Sequence, residues 1–128
     1  MTVKKIVVDT DIIAEHLMTG KKESILRALS REYFCYTTVF NAIELFGAAK
    51  SLKEKESVRQ AMDALKILGI SPKSAKNIGE VVSSTKKDYT ALIAGVCLEA
   101  KLPIATMAPK RYTKIKALTV MPVKTVLP

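Results

Sequence analysis

Tryptophan is absent from this chain, and aromatic residues make up only 5% of it. That scarcity argues against the rows of stacked rings by which many single-strand binders hold bases. Histidine occurs once, at His16 beside Glu15 in a helical pattern, which excludes a zinc site built on paired histidines. A surface or half-buried ring is the expectation there. Of the two cysteines, Cys35 lies in the run Tyr-Phe-Cys-Tyr and Cys97 in Ala-Gly-Val-Cys-Leu. With no CxxC spacing and no histidine nearby, both read as buried, reduced thiols. No apolar run approaches the ~20 residues of a membrane span. The stretch that follows Lys4-Lys5 stops at Asp9, too short for the core of a secretion signal. These absences lead to the expectation of a cytoplasmic protein without membrane contact.

Acidic residues are the other deficit. The chain has 21 Lys and Arg against 12 Asp and Glu, a net charge of +9. In residues 1–64 ten basic side chains meet nine acidic ones, leaving +1; in residues 65–128 eleven meet three, leaving +8. A field of that sign favours a polyanion, most simply nucleic acid, or an acidic protein partner. A solvated lysine-rich surface would give the same count with no partner at all.

What is present suits one globular unit, residues 1–128. A chain of 128 residues with 48% hydrophobic and 26% charged side chains can bury a core without help from a disulfide or a structural metal. Lys5 to Asp9 is a short β-branched run ending in a carboxylate, and the helical pattern Ile12, Ile13, Leu17 follows at once, with Thr10 or Asp11 as cap and Gly20 as the stop. A second helix fits residues 21–31, a strand fits Tyr33 to Thr37, and a strongly apolar helix fits Ala42 to Ala49. Lys53 to Lys66 is amphipathic, Leu68 to Ile70 is a minimal strand, and Ser71-Pro72 opens a helix running to about Ser84. The apolar helix Ala91 to Ala100 precedes a strand over Leu102 to Thr106. A short turn or helix over Pro109 to Thr113 and an edge strand over Leu118 to Met121 complete the pattern. Strands alternating with helices predict an α/β fold with right-handed crossovers, a parallel sheet and helices on both faces.

In such sheets ligands bind beyond the carboxyl ends of the strands. Asp9 stands at such an end, where a covered and unpaired acid would be costly, so it is expected to face a cleft, a cation or a helix N-terminus. Glu44 is the second unusual acid, because Ala42, Ile43, Leu45 and Phe46 surround it. If the first two strands are neighbours, Glu44 approaches Asp9, and the pair would suit a hard divalent cation able to activate water on a phosphodiester. The structural alternatives are that Asp9 merely caps a helix and that Glu44 faces solvent.

Three stretches, Ile6 to Ile13, Tyr36 to Ala48 and Thr90 to Thr106, together resemble the PIN-domain family, and specifically the small VapC-like toxin ribonucleases of prokaryotic toxin–antitoxin pairs. The resemblance implies a three-layer α/β/α fold with a mainly parallel sheet of four to five strands. It also implies a cleft with four acidic positions, Mg²⁺ or Mn²⁺, and endonucleolytic RNA cleavage by metal-activated water. Asp9 matches the first acid and Glu44 the second, which makes them the implied metal ligands. The third and fourth positions hold Thr90 and Ala108, so both lack the expected charge. Asp88 is the candidate replacement for the third carboxylate; its ordinary role would be to cap a helix. Lys86, Lys87, Lys110 and Arg111 are candidate phosphate contacts near the strand ends.

The leading expectation is therefore an endoribonuclease of toxin–antitoxin type with an incomplete acidic site, acting on RNA, with an antitoxin and a second copy of the chain as candidate partners. Asp9→Asn is expected to abolish Mg²⁺-dependent cleavage and leave folding intact. The alternative is a non-catalytic PIN-like module that binds RNA or protein. The amphipathic helices at 21–31 and Lys53 to Lys66 would then offer a groove to a partner helix, or simply pack on the core. A minor alternative follows from Asp9-Thr-Asp11, which also resembles the opening motif of haloacid-dehalogenase-like phosphatases, with Asp9 as nucleophile and Asp11 as acid/base.

Overall fold

The structure, a computed structural model, describes residues 4–20, 23–85 and 88–123. Five strands form one parallel sheet in the order β3-β2-β1-β4-β5. They are β1 (Lys5–Val8), β2 (Phe34–Thr38), β3 (Lys66–Leu68), β4 (Ile104–Thr106) and β5 (Val120–Pro122). The helices are α1 (Thr10–Thr19), α2 (Ile25–Ser30), α3 (Val39–Ala48), α4 (Leu52–Asp63), α5 (Pro72–Ser84) and α6 (Tyr89–Ala100). One 3₁₀ turn, Pro109–Tyr112, leads from β4 towards β5.

The β-branched run of β1 makes it the central strand, with Ile6 beside Cys35 of β2 and Val8 beside Ala105 of β4. Successive side chains of a strand point to opposite faces. Ile6 and Val8 accordingly enter a core with Ile12, Ile13, Ile25, Leu45, Val58 and Met62, on the face covered by α1 to α4. Val7 enters the other core, with Ile93, Cys97, Ile104 and Tyr112, on the face covered by α6. Helix α5 packs on α6 and closes that side. This is the expected three-layer α/β/α arrangement, and both cysteines are buried in it as free thiols.

Several boundaries differ from the sequence reading. Asp9, rather than Thr10 or Asp11, caps α1, its side chain accepting from the Thr10 N–H. Helix α3 begins three residues earlier than its apolar pattern, because Thr38 and Asn41 form a reciprocal capping box. The short third strand is Lys66–Leu68 instead of Leu68 to Ile70; as an edge strand it is largely exposed and shows no apolar alternation to read. The apolar look of α3 also misleads, since Ile43 and Phe46 are exposed while Ala42 and Leu45 face the core. Gly20 does end α1 with positive φ (64°).

The chain leaves β1 to build β2 and β3 on one side, then returns to build β4 and β5 on the other. The carboxyl end of β1 is thus the point where strand order reverses, the natural crevice of an open parallel sheet. Asp9 is the residue that follows it.

Candidate functional site

Asp9 is completely buried, and its backbone N–H donates to the Ala105 carbonyl of β4 (3.0 Å). Five residues donate to its carboxylate. Oδ1 accepts from the Thr10 N–H (2.9 Å) and from Asn41 Nδ2 (3.1 Å). Oδ2 accepts from Thr106 Oγ1 (2.8 Å), from the Tyr112 hydroxyl (3.0 Å) and, more loosely, from Arg111 Nη1 (3.5 Å). A buried carboxylate survives in a fold when donors and a counter-charge replace its water, and here both are supplied.

Each donor arrives for a local reason. Asn41 occupies the third position of α3 because its amide oxygen accepts from the Thr38 N–H and hydroxyl, which turns its NH₂ towards Asp9 and Thr10. Thr106 ends β4 next to the end of β1, and the 3₁₀ turn after it presents Arg111 and Tyr112 in succession. Burial, and then the charge of Asp9, push the Tyr112 phenol far above its ordinary range, so it remains a donor. Cys97 beneath the site is pushed up to about 12, first by burial and then by Asp9, and stays an unreactive thiol.

Glu44 belongs to the same network without touching Asp9 directly. Asn41 Nδ2 donates to Thr10 Oγ1 (2.9 Å), and that hydroxyl donates to Glu44 Oε1 (2.7 Å). Asp11 stands on the other side, its Oδ2 accepting from the Met107 N–H (3.1 Å) and lying 3.2 Å from Thr106 Oγ1. Thr106 has one hydroxyl proton and two carboxylates within reach; the nearer, Asp9, takes it. Asp11 Oδ1 is buried with no hydrogen-bond partner. Burial and then the neighbouring Asp9 raise the Asp11 carboxyl above its ordinary value, against the opposing bond from the Met107 N–H.

Arg111 governs the other side of the site. Its Nε (3.2 Å) and Nη2 (2.9 Å) both donate to Thr90 Oγ1, at the start of α6, while Nη1 reaches Asp9. Burial alone would lower the guanidinium, but Asp9, followed by Tyr112, Glu44 and Asp11, outweighs it and holds the charge more firmly than usual. Beside Arg111 opens a cavity of about 270 Å³, lined by Thr85, Asp88, Thr90, Lys110, Arg111 and Lys114 among others.

A divalent ion does not fit these side chains as they stand. Both oxygens of Asp9 are occupied by donors, and among the described residues no three His, Cys, Asp or Glu side chains converge to hold a metal. Completely buried and with both oxygens accepting hydrogen bonds, Asp9 is not placed to attack a substrate phosphorus, which counts against the phosphatase alternative.

A scan against protein-family models finds no match, and a comparison with curated proteins likewise finds none. Solved structures do match. A toxin–antitoxin complex from Klebsiella pneumoniae contains a chain 21% identical, with a TM-score of 0.72 over 94% of this chain and 99% of that one. VapBC2 from Rickettsia felis, bound to a DNA fragment from its promoter, gives 20% identity and a TM-score of 0.74 over 93% and 98%. DNA-bound VapBC from Salmonella typhimurium gives 20% and 0.73 over 94% and 98%. The chain has a VapC-like PIN fold.

On this PIN fold the residues proposed from sequence are distributed unequally. Asp9 and Glu44 enter one network, joined through Asn41 and Thr10. Asp88 is exposed, caps α6 by accepting from the Ala91 N–H (3.1 Å), and lines the cavity. Lys110 and Arg111 line that cavity too, whereas Lys86 and Lys87 lie outside the described residues. Asn41 and Tyr112 were missed as contributors. A polar residue between Phe40 and Ala42 in an apolar helix was the available signal for Asn41; Tyr112, in a basic turn, gave none.

Proposed function

We propose that this chain is the toxin-type member of a toxin–antitoxin pair, a PIN-fold protein that engages RNA at the carboxyl ends of its strands and pairs with an antitoxin protein. The observation that carries this reading is the placement of Arg111. It closes over Asp9 and, with Lys110 and Lys114, lines the adjoining cavity, so the strand-end face offers cations to a phosphate backbone. The +8 balance of the second half of the chain supports the same ligand. An antitoxin partner is supported by the complexes in which the similar folds occur, and by Ile43 and Phe46, exposed one turn apart on α3.

With Asp9 saturated and Thr90 and Ala108 uncharged, the reading is RNA engagement without metal-dependent hydrolysis. A gel-shift titration with a mixed RNA pool, run beside a cleavage assay with and without Mn²⁺, tests it. Shifted RNA that weakens several-fold in a Lys110→Ala/Lys114→Ala variant, with no new fragments, is the expected result; no shift at physiological salt would sink it. The second reading, a Mg²⁺- or Mn²⁺-dependent endoribonuclease, is favoured by the orphaned Asp11 Oδ1 and the proximity of Glu44. Fragments that require Mn²⁺ and vanish in Glu44→Gln would establish that reading instead.

A further inference from the structure

We propose that the two cavities meeting at Asp88 form a subsite for one nucleotide of single-stranded RNA, with the phosphate in the cationic cavity, the base against the Tyr89 ring and the ribose 2′-hydroxyl on the Asp88 carboxylate. The inference rests on the reading that this face engages RNA, and adds what tells RNA from DNA there.

The cationic cavity is short of acids. Asp88 is the one acidic residue named in its lining, against Lys110, Arg111 and Lys114. Arg111 is shared with Asp9, so Lys110 and Lys114 are the cations left to a ligand. A hydroxyl proton is left over as well. Thr85 and Thr113 donate theirs to the Val81 and Lys110 carbonyls. Thr90 Oγ1 instead accepts twice from Arg111, at 3.2 and 2.9 Å, which occupies its lone pairs and leaves its proton to donate. Two ammonium groups and a hydroxyl that can only donate suit the oxygens of a phosphate.

On the other side of Asp88 the chemistry changes. A second cavity, of about 320 Å³, is lined by Val82, Tyr89 and Leu92 together with Asp88. Tyr89 opens α6 and is 41% exposed, although the next turn of the helix is buried. An apolar slot with an exposed ring accepts a flat group, and any nucleobase can stack on such a ring. One ring holds one base, in keeping with the scarcity of aromatic residues in the chain. A nucleotide is built in the order phosphate, sugar, base, so a unit spanning both cavities sets its ribose at the residue they share. Asp88 Oδ1 accepts from the Ala91 N–H (3.1 Å), and the carboxylate keeps acceptor capacity for a ribose hydroxyl. A deoxyribose offers only C–H groups there, and the charge of Asp88 beside the phosphate then goes unanswered.

The test measures binding of the full chain, by fluorescence anisotropy at one salt concentration, to end-labelled single-stranded octanucleotides of one mixed sequence. The probes are RNA, its 2′-deoxy form and its 2′-fluoro form. The wild type should bind RNA about tenfold more tightly than either analogue, since 2′-fluorine keeps the sugar shape of RNA but donates no hydrogen bond. Asp88→Ser, which retains a helix cap, should bring the ratio of RNA to deoxy affinity close to unity, with deoxy affinity unchanged or higher because a negative charge has gone. Tyr89→Ala should weaken all probes by about fivefold or more, and Tyr89→Phe should bind as the wild type does. An RNA preference that survives Asp88→Ser overturns the proposal, as does an affinity that Tyr89→Ala leaves unchanged. A 2′-fluoro probe bound as tightly as RNA overturns it too, because sugar shape rather than the hydroxyl is then read. Should Asp88→Ser not fold, the wild-type comparison of RNA with its 2′-fluoro form decides. RNA bound no better than its analogues refutes this subsite and leaves the RNA reading standing; absence of any RNA binding refutes both.

Discussion

Five donors converge on one carboxylate at Asp9, and this alters what the residue's replacement should do. Read from sequence, Asp9→Asn removes a cleft acid and spares the fold. In the structure it places an NH₂ where hydroxyls of Thr106 and Tyr112 donate, and deprives Arg111 of its counter-charge. A destabilisation of about 2–4 kcal/mol is expected, measured by urea unfolding at neutral pH. Asp11 behaves in the opposite way. Its carboxyl titrates above the ordinary 3.8 in the folded state, so the fold binds that proton more tightly than the unfolded chain does. Stability associated with Asp11 is therefore present at acid pH and lost as pH rises from about 3.8 through the elevated folded value, leaving a cost at pH 7. Asp11→Asn should raise the melting temperature at pH 7 and flatten this part of the stability–pH profile; a lower melting temperature at pH 7 would contradict the assignment. The sequence marked Asp9 as a strand-end acid and Asp11 only as a helix cap or the acid/base of the phosphatase alternative; their opposite balance was not legible, because it depends on which of them Thr106 serves from 97 and 95 residues away.

Among the elements, α5 and α6 are held at closer range than their sequences suggest. A Cβ added at Gly95 would stand 2.8 Å from Ile78 Cγ2 and 3.2 Å from Ile78 Cβ, so Gly95 is what allows α6 to approach α5. Ala is the better helix former by about 1 kcal/mol, yet overpacking costs roughly 1–3 kcal/mol, and the nearby branch point of Ile78 cannot swing away. Gly95→Ala should therefore destabilise the wild type. In an Ile78→Ala background the same change should be neutral or stabilising, giving a coupling of about 1 kcal/mol or more in a double-mutant cycle. Helix α6 itself was legible from its apolar run, and its cap at Asp88 was anticipated as that residue's ordinary role. The early start of α3 was not, because Asn41 looks like an interruption until Thr38 is seen capping it. Strand β3 was displaced for a simpler reason: three largely exposed edge residues carry no periodicity from which to read a strand.

For the molecule as a whole, the testable property is the salt dependence of RNA binding. Each phosphate contact on a single strand contributes about 0.7 to the slope of log affinity against log salt. Lys110→Ala/Lys114→Ala should lower that slope by about 1.4, with similar effect on RNAs of different sequence; an unchanged slope would place the polyanion on another face. The sequence by itself determined the class of the fold. A β-branched strand, alternating helices and buried apolar periods leave few arrangements other than a parallel sheet between helical layers, because hydrophobic faces must be covered and crossovers are right-handed. It also marked Asp9 as the residue at the crevice. What Asp9 does there was decided by tertiary structure alone. Its partners come from α3, β4 and the 3₁₀ turn, brought together by the strand order, and the guanidinium that answers its charge lies 102 residues away. Electrostatic balance is set by distances of a few ångströms between residues remote in the chain, and no spacing along the chain records those distances.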